Sequence, residues 1–221
     1  MLINLHEIIQ KYNMNITGII HVGAHWGEEY DDYKKAGVEK IIFIEPAKKA
    51  FNILIDRFAR HPDIFLCNVA CGSPTKKDEF VLLNIETKNT GQSNSILKAK
   101  KHLEHYPDIT FNDTEQVRLS RLDDVFDDIH FHKNLCGLPF EETDYNLLMM
   151  DVQGYELEVL KSSLNVLTHI NYVYTEINTD ELYEGCAKLK DLDEFLNNQG
   201  FTRVETKLTD KNWGDALYVR K

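Results

Sequence analysis

Residues 19–30 read IIHVGAHWGEEY, an apolar run that passes through Gly23 and Gly27 and meets two acids, Glu28 and Glu29. A buried strand followed by glycine and then amphipathic sequence is a strand turning sharply into a helix. Small residues at such a turn let a ligand touch backbone. In dinucleotide and phosphate-binding proteins the following helix N-terminus favours negative charge. Glu28 and Glu29 are expected in the first helical turn, where they would repel a pyrophosphate and accept a cationic ligand. Acids are also common in first turns for their own sake.

Strand-like and helix-like segments alternate on either side of this turn, which predicts an α/β protein with a mostly parallel sheet covered on both faces. EKIIFIEP is followed by the helical AKKAFNILIDRFARH, whose Ala50, Phe51, Leu54, Ile55 and Phe58 recur at helical spacing, and then by a third strand, DIFLCNVACG. The rhythm breaks from Asp78 to about Leu119, where an exposed strand, a polar loop, a helix over ILKAKKHLEHY and another strand form an insertion. Insertions of this kind supply a lid or a substrate wall, or simply extend the packing. Regularity resumes at LDDVFDDI, with a buried strand YNLLMMDV, a helix ELEVLKSSLNVL, a strand INYVYTEIN, a helix AKLKDLDEFLNNQ and a closing antiparallel hairpin expected at the sheet edge.

The 221 residues, 43% of them hydrophobic, suffice for one well-buried core, so residues 1–221 are read as one domain. No apolar run reaches membrane-spanning length, and MLINLHEIIQKYNMN lacks the pattern of a signal peptide, so a cytoplasmic protein is expected. A net charge of -11 argues against a general nucleic-acid surface. Cys67, Cys71, Cys136 and Cys186 form neither C-x-x-C pairs nor a disulfide framework, and reduced thiols are expected. His102 and His105 could share a helix face but lack further zinc ligands, and are expected on the surface.

In open α/β sheets ligands sit beyond the carboxyl ends of the strands. That rule selects His21, Gly23, Ala24, His25 and Gly27 after the first strand, and Glu45 and Pro46 after the second. It adds Asn68, Val69 and Ala70 after the third, Asp151 after the fourth and Glu176 after the fifth. Glu45 follows Gly23 at about the spacing with which a carboxylate accepts both hydroxyls of a ribose. Adenosine is common to NAD and S-adenosylmethionine, but the turn lacks the middle glycine of GxGxxG, which counts against NAD. The sulfonium compound has no phosphate and suits an acidic rim.

The segments IIHVGAHWGEEYDDYKKAG, IIFIEP, NVACG, RLDDVF and LLMMDVQGYELEVLKS, then YTEIN and DALYVRK, together resemble the FkbM family of S-adenosylmethionine-dependent methyltransferases. The resemblance covers nearly the whole chain, and DVQGYELEVLK is its most specific part. It departs from the common pattern at His21, where many class I methyltransferases carry an acid, and at Gln153, where many family members carry Glu. It implies a Rossmann-like class I methyltransferase fold, a seven-stranded mostly parallel sheet with an antiparallel last strand and helices on both faces. The implied reaction is methyl transfer from S-adenosyl-L-methionine to a hydroxyl, commonly of a sugar.

Asp151 is the favoured general base for such an acceptor, with binding of the ligand's ammonium as its rival role; Glu176 is the second catalytic candidate. The pair is too weak a signal for a metal, and none is expected. Trp26, Gln92, Ser93, Asn94 and Ser95 are candidates for contact with a small-molecule or glycan acceptor, and Glu156 reads as a helix-start acid. A non-catalytic adenosine-ligand-binding subunit and, further off, an NAD-linked oxidoreductase are the competing functions.

Overall fold

The computed structural model describes residues 1–73, 79–135 and 141–221, with the backbone alone for 130–135. Asp78, where the expected insertion begins, and Cys136 lie outside the described residues.

Five parallel strands build the centre: β1 (Gly18–Val22), β2 (Lys40–Ile44), β3 (Ile64–Cys67), β7 (Leu147–Met150) and β8 (Tyr172–Asn178). Every residue of β1 and β7 is buried, as an inner strand covered on both faces requires. Alternate side chains feed two cores. Ile20, Val22, Leu148 and Met150 face one side and meet Leu122 and Phe126 of α5 (Leu122–Leu135), Val159 of α6 (Glu156–Lys161) and Leu192 of α8 (Leu189–Asn198). Ile19, Phe43, Leu147 and Met149 face the other and meet Ile8 of α1 (Leu5–Lys11), Tyr33 of α2 (Tyr30–Lys35) and Leu54 of α3 (Lys48–Phe58).

The sheet is completed by β9 (Phe201–Leu208) and β10 (Trp213–Arg220), giving the order β3-β2-β1-β7-β8-β10-β9. The closing pair is antiparallel as expected, but only β9 is an edge strand. β10 is inserted between β8 and β9 and is antiparallel to both.

Four local expectations change. Glu28 and Glu29 precede the helix, since α2 starts at Tyr30 with Glu29 as its N-cap. DIFLCNVACG divides into β3 and β4 (Ala70–Cys71), because the Asn68 amide donates to the carbonyls of Glu45 (2.8 Å) and Pro46 (2.9 Å) and holds a kink there. ILKAKKHLEHY contains only one helical turn, α4 (His102–His105). Its preceding backbone is committed elsewhere: Ala99 bridges Tyr183, and Lys100 N–H donates to the Leu182 carbonyl at 2.8 Å. The helix expected over ELEVLKSSLNVL breaks into α6 and α7 (Leu164–Leu167), as the Ser162 and Ser163 hydroxyls donate back to the Val159 and Leu160 carbonyls.

The inserted segment forms a second sheet of order β4-β6-β5, from β5 (Glu79–Glu86) and β6 (Phe111–Ser120). The connection between β5 and β6 folds back over the carboxyl ends of the main sheet. Its anchor is the Ser95 hydroxyl, which donates to the Gln153 carbonyl at 2.8 Å. Among the described residues no helix is long and apolar enough to cross a membrane.

Candidate active site

A cavity of about 590 Å³ lies where the β5–β6 connection covers the carboxyl ends of β1, β2, β7 and β8, within the ~300–1,000 Å³ usual for small-molecule sites. His21, Gly23, Ala24, His25, Glu45, Pro46, Val69, Ala70, Asp151 and Glu176 line it, as do Gln92, Ser93, Asn94 and Ser95. Gly27, Trp26 and Asn68 do not. Gly27 packs under Phe58, and Trp26 stacks on His25 at 4.5 Å against the core of the small sheet. Asn68 is spent on the kink described above.

The turn after β1 is tied down residue by residue. Gly23 has a φ of +81°, and a Cβ there would lie 1.9 Å from the Asp151 carbonyl oxygen. The next turn residue, His25, has a φ of +45°. Its backbone N–H donates to Glu45 Oε2 at 2.9 Å, while Ala47 N–H donates to Glu45 Oε1 at 2.8 Å. Glu45 therefore stitches the first two strand ends together and keeps a lone pair on each oxygen for a ligand's hydroxyls. Its burial pushes the carboxyl up to about 7, against the pull of the two amides.

Glu28 lines the cavity and is also engaged within the protein. Its Oε1 lies 2.6 Å from His25 Nδ1, and Oε2 accepts from Trp26 N–H at 3.0 Å. His25 Nε2 faces the Thr90 carbonyl at 3.0 Å. A carbonyl and a carboxylate on the two ring nitrogens call for two N–H donors, the imidazolium. Burial draws the His25 pKa down, but Glu28 and Thr90 outweigh it and the net shift is upward.

The acids that line the cavity are Glu28, Glu29, Glu45, Asp108, Asp151, Glu176 and Asp215. Gln153, whose φ is +54°, bridges two of these acids. Its amide nitrogen donates to Asp151 Oδ1 at 2.7 Å and to Glu176 Oε2 at 3.0 Å, and its oxygen accepts from the Tyr183 hydroxyl at 2.7 Å. A glutamine fits here because a carboxylate could not donate to both neighbours. Asp151 opens onto the cavity but is hemmed in on its other sides. This desolvation, together with the charge of Asp215, raises it to about 6 against the lowering effect of Gln153. Glu176 is buried, and burial with the nearby Asp151 and Glu156 charges holds its pKa well above the usual carboxylate range. Glu156 is fully buried and not merely a helix-start acid. Its Oε1 accepts the N–H groups of Val152 (3.2 Å) and Gly154 (3.1 Å), fixing the turn that carries Gln153.

His21, where many class I methyltransferases carry an acid, is buried beneath the cavity, with Nδ1 3.0 Å from the Tyr33 hydroxyl; burial lowers its pKa. The expectation of surface histidines fails for His102, which is 5% exposed and also lines the cavity. Tyr106, Tyr183, Trp213 and Asp215 line it too, and none was singled out from sequence. Tyr183 and Trp213 could have been found, since they lie just past the end of β8 and at the start of its partner β10. His102 and Tyr106 could not, because the β5–β6 connection has no periodicity to place them. Cys67, Cys71 and Cys186 are free thiols, and burial pushes Cys67 up to about 12.

Raised carboxylates predict a particular pH response. Glu45 and Glu156 rise from 4.5 to about 7 on folding. The unfolded chain releases these protons first, so their contribution to stability is complete below about 4.5 and is lost as pH rises through about 7. Thermal melts of the ligand-free protein are expected to show this part of its stability falling between those limits, with Glu156→Gln flattening the fall.

Sheet order and the inserted antiparallel strand define the Rossmann-like fold of class I methyltransferases, with an acidic crevice at its switch point. The fold aligns with the S-adenosylmethionine-bound magnesium protoporphyrin IX methyltransferase of Synechocystis PCC 6803 at a TM-score of 0.51, with 10% identity over 98% of this chain and 76% of that one. A SAM-dependent methyltransferase from Aquifex aeolicus aligns at 0.51, with 10% identity over 100% and 91% of the two chains. The sequence profile of the methyltransferase FkbM domain matches residues 21–203, and the chain belongs to that family. The 2-O-methyltransferase NoeI of Sinorhizobium fredii is 34% identical over 111 residues, a match spanning 50% of this chain and 41% of that protein.

S-adenosylmethionine is the cofactor of this family. The residues present suit it: Glu45 offers acceptors for ribose hydroxyls, and the acidic rim matches a sulfonium and an ammonium. The NAD-linked alternative is set aside by the family match. Glu45→Gln removes one of the two acceptors, so S-adenosylhomocysteine is expected to bind roughly 20-fold more weakly by calorimetry, for a loss of ~1.5–2 kcal/mol.

Proposed function

We infer that the chain is an O-methyltransferase acting on a hydroxyl of a sugar or related small molecule. The observation that carries this reading is the Asp151–Gln153–Glu176 arrangement, in which both carboxyl groups line the cavity and Asp151 is the more exposed of the two. S-adenosylmethionine supplies a methyl group on a positively charged sulfur, an in-line donor that needs alignment more than chemistry from the protein. In this reading Gly23, Ala24, Glu45, Val69 and Ala70 hold the donor, with His21 and His25 supporting the turn from below and beside it.

Asp151 would accept the acceptor hydroxyl's proton while the methyl carbon exchanges its bond to sulfur for one to that oxygen, the neutral thioether leaving. A carboxylate with a pKa near 6 is mostly ionised at neutral pH and a stronger base than an unperturbed aspartate. Gln153 keeps its Oδ1 fixed. Burial disfavours the charged form of Glu176, which limits repulsion between the pair and favours Asp151 as the charge that faces the donor. The polar segment Gln92–Ser95 forms the opposite wall, with Ser95 and Ser93 buried and Gln92 at the opening. The relative whose name specifies 2-O-methyl transfer supports oxygen as the acceptor atom.

Incubation with S-adenosylmethionine and a panel of mono- and oligosaccharides should give a product heavier by one methyl group. The reading fails if NAD stabilises the protein against heat while S-adenosylhomocysteine does not.

A further inference from the structure

The side chain of Gln153 stands between acceptors on one side and a donor on the other. Its amide nitrogen reaches Asp151 Oδ1 at 2.7 Å and Glu176 Oε2 at 3.0 Å, so two carboxyl oxygens converge on one donor. Its amide oxygen accepts from the Tyr183 hydroxyl at 2.7 Å. The two ends of an amide have nearly the same shape and opposite hydrogen-bonding character, so such a side chain can be seated either way round. With nitrogen toward the carboxyls, both can be ionised. With oxygen there, acceptors would face one another from every side, and the arrangement would require a proton on Asp151 or Glu176.

Which end points inward is decided at the outer end of the amide. The Tyr183 hydroxyl has a single proton to give, and the Gln153 oxygen at 2.7 Å is a closer acceptor than the Ser93 carbonyl at 3.4 Å. A reversed amide would force that hydroxyl to accept from nitrogen and to spend its proton on the longer contact. Tyr183 is poorly placed to follow such a change. Its backbone bridges Ala99, its side chain is 1% exposed, and a Cβ added at Gly154 would lie 3.4 Å from Tyr183 Cβ. The Gln153 backbone is held as well, by the Ser95 hydroxyl on its carbonyl. Packing with Leu182 and Cys186 accounts for the Tyr183 ring. It does not account for the hydroxyl.

We propose that Tyr183 is a positioning residue for methyl transfer: its hydroxyl fixes the Gln153 amide with nitrogen toward Asp151 and Glu176, and so maintains a hydrogen-bond donor on the base. The proposal rests on the O-methyltransferase reading and adds a residue to it. A donor on a carboxylate favours the charged form. Burial raises the Asp151 carboxyl to about 6; Gln153 pulls the other way, while Asp215 and Glu29 add to the rise. The remaining titratable groups around Asp151 are Glu176, Glu156, His21 and the Met1 amino group.

Asp151 can be followed with neither methyl donor nor acceptor present, by carboxyl-carbon NMR of protein labelled at that carbon in aspartate, its signal identified by loss in Asp151→Asn. In the parent it is expected to titrate at about 6. Tyr183→Phe should raise the midpoint by about half a pH unit or more. Gln153→Met should give a rise at least as large, and adding Tyr183→Phe to it should give no more, since no amide is left to orient. In the parent, with no substitution at Tyr183, the Gln153 side-chain amide signal should move with the Asp151 midpoint. The proposal is overturned if Tyr183→Phe titrates as the parent does, if its shift persists in the Gln153→Met background, or if the amide signal ignores the Asp151 titration. A role confined to packing would lower the melting temperature and leave the midpoint in place. A parent protein that binds no S-adenosylhomocysteine would sink the methyltransferase reading, whereas the Asp151 titration is read without that compound.

Discussion

A Gly23→Ala chain is expected to bind no measurable S-adenosylhomocysteine and to unfold at markedly lower urea concentration. The new methyl carbon would sit 1.9 Å from the Asp151 carbonyl oxygen and 2.8 Å from its carbon. Both are backbone atoms of a neighbouring strand end, so no side chain can swing aside. Relief requires β1 and β7 to part just beyond their last paired residues, Val22 and Met150. The φ of +81° adds the cost of a left-handed alanine, ~1–2 kcal/mol. Together the two effects amount to ~3–5 kcal/mol, a large share of a typical domain's stability of ~5–15 kcal/mol. Parting these strands also displaces Asp151 and the amides that Glu45 ties together, so both the proposed donor side of the cavity and the proposed base move at once. Wild-type affinity in Gly23→Ala would show that the turn is softer than its contacts imply.

Asp151→Asn is the second large expectation. Removing a positioned base typically costs ~10²–10⁴ in kcat, and the isosteric amide should fold, since one face of the residue already opens onto the cavity. Donor affinity should fall far less than kcat. In the parent enzyme kcat/KM is expected to rise with pH through about 6 and level off above it, and Asp151→Asn should abolish that limb. Full turnover by Asp151→Asn with every accepted substrate would remove the residue from proton transfer and leave the family assignment untouched.

The central architecture could be read from the chain because inner parallel strands are nearly uniform apolar runs. IIHV, IIFI and LLMM cannot be mistaken for exposed segments, and the acids that follow the second and third, Glu45 and Asp151, fall at the cavity. Glu176 falls there too, near the carboxyl end of the apolar β8. What escaped the sequence depended on contacts between distant segments. The single turn at His102–His105 follows from a bridge between Ala99 and Tyr183, 84 positions apart by subtraction. Such a pairing leaves no periodic trace. The pairing of Glu28 with His25 was not legible, because His25 is held at positive φ by a turn that local propensity does not foretell. Gln153 stood out only as a departure from the family pattern, and its role as a shared donor required both carboxylates to be placed.

The position of β10 has a consequence for how the molecule is made. Ala216, Leu217 and Tyr218 are at most 1% exposed, between a strand made some forty residues earlier and one made just before. Asp215 on the same strand accepts from the Leu2 and Ile3 amides, 213 and 212 positions before it, and from Tyr174, fastening those residues to a strand made much later. During translation β8 therefore waits with an open, apolar edge, a surface prone to pair with other nascent chains. Folding of this protein should be gated by emergence of residues 213–220 from the ribosome. A ribosome stalled before Trp213 clears the exit tunnel would hold a chain that leans on chaperones, whatever the intrinsic stability of the finished sheet.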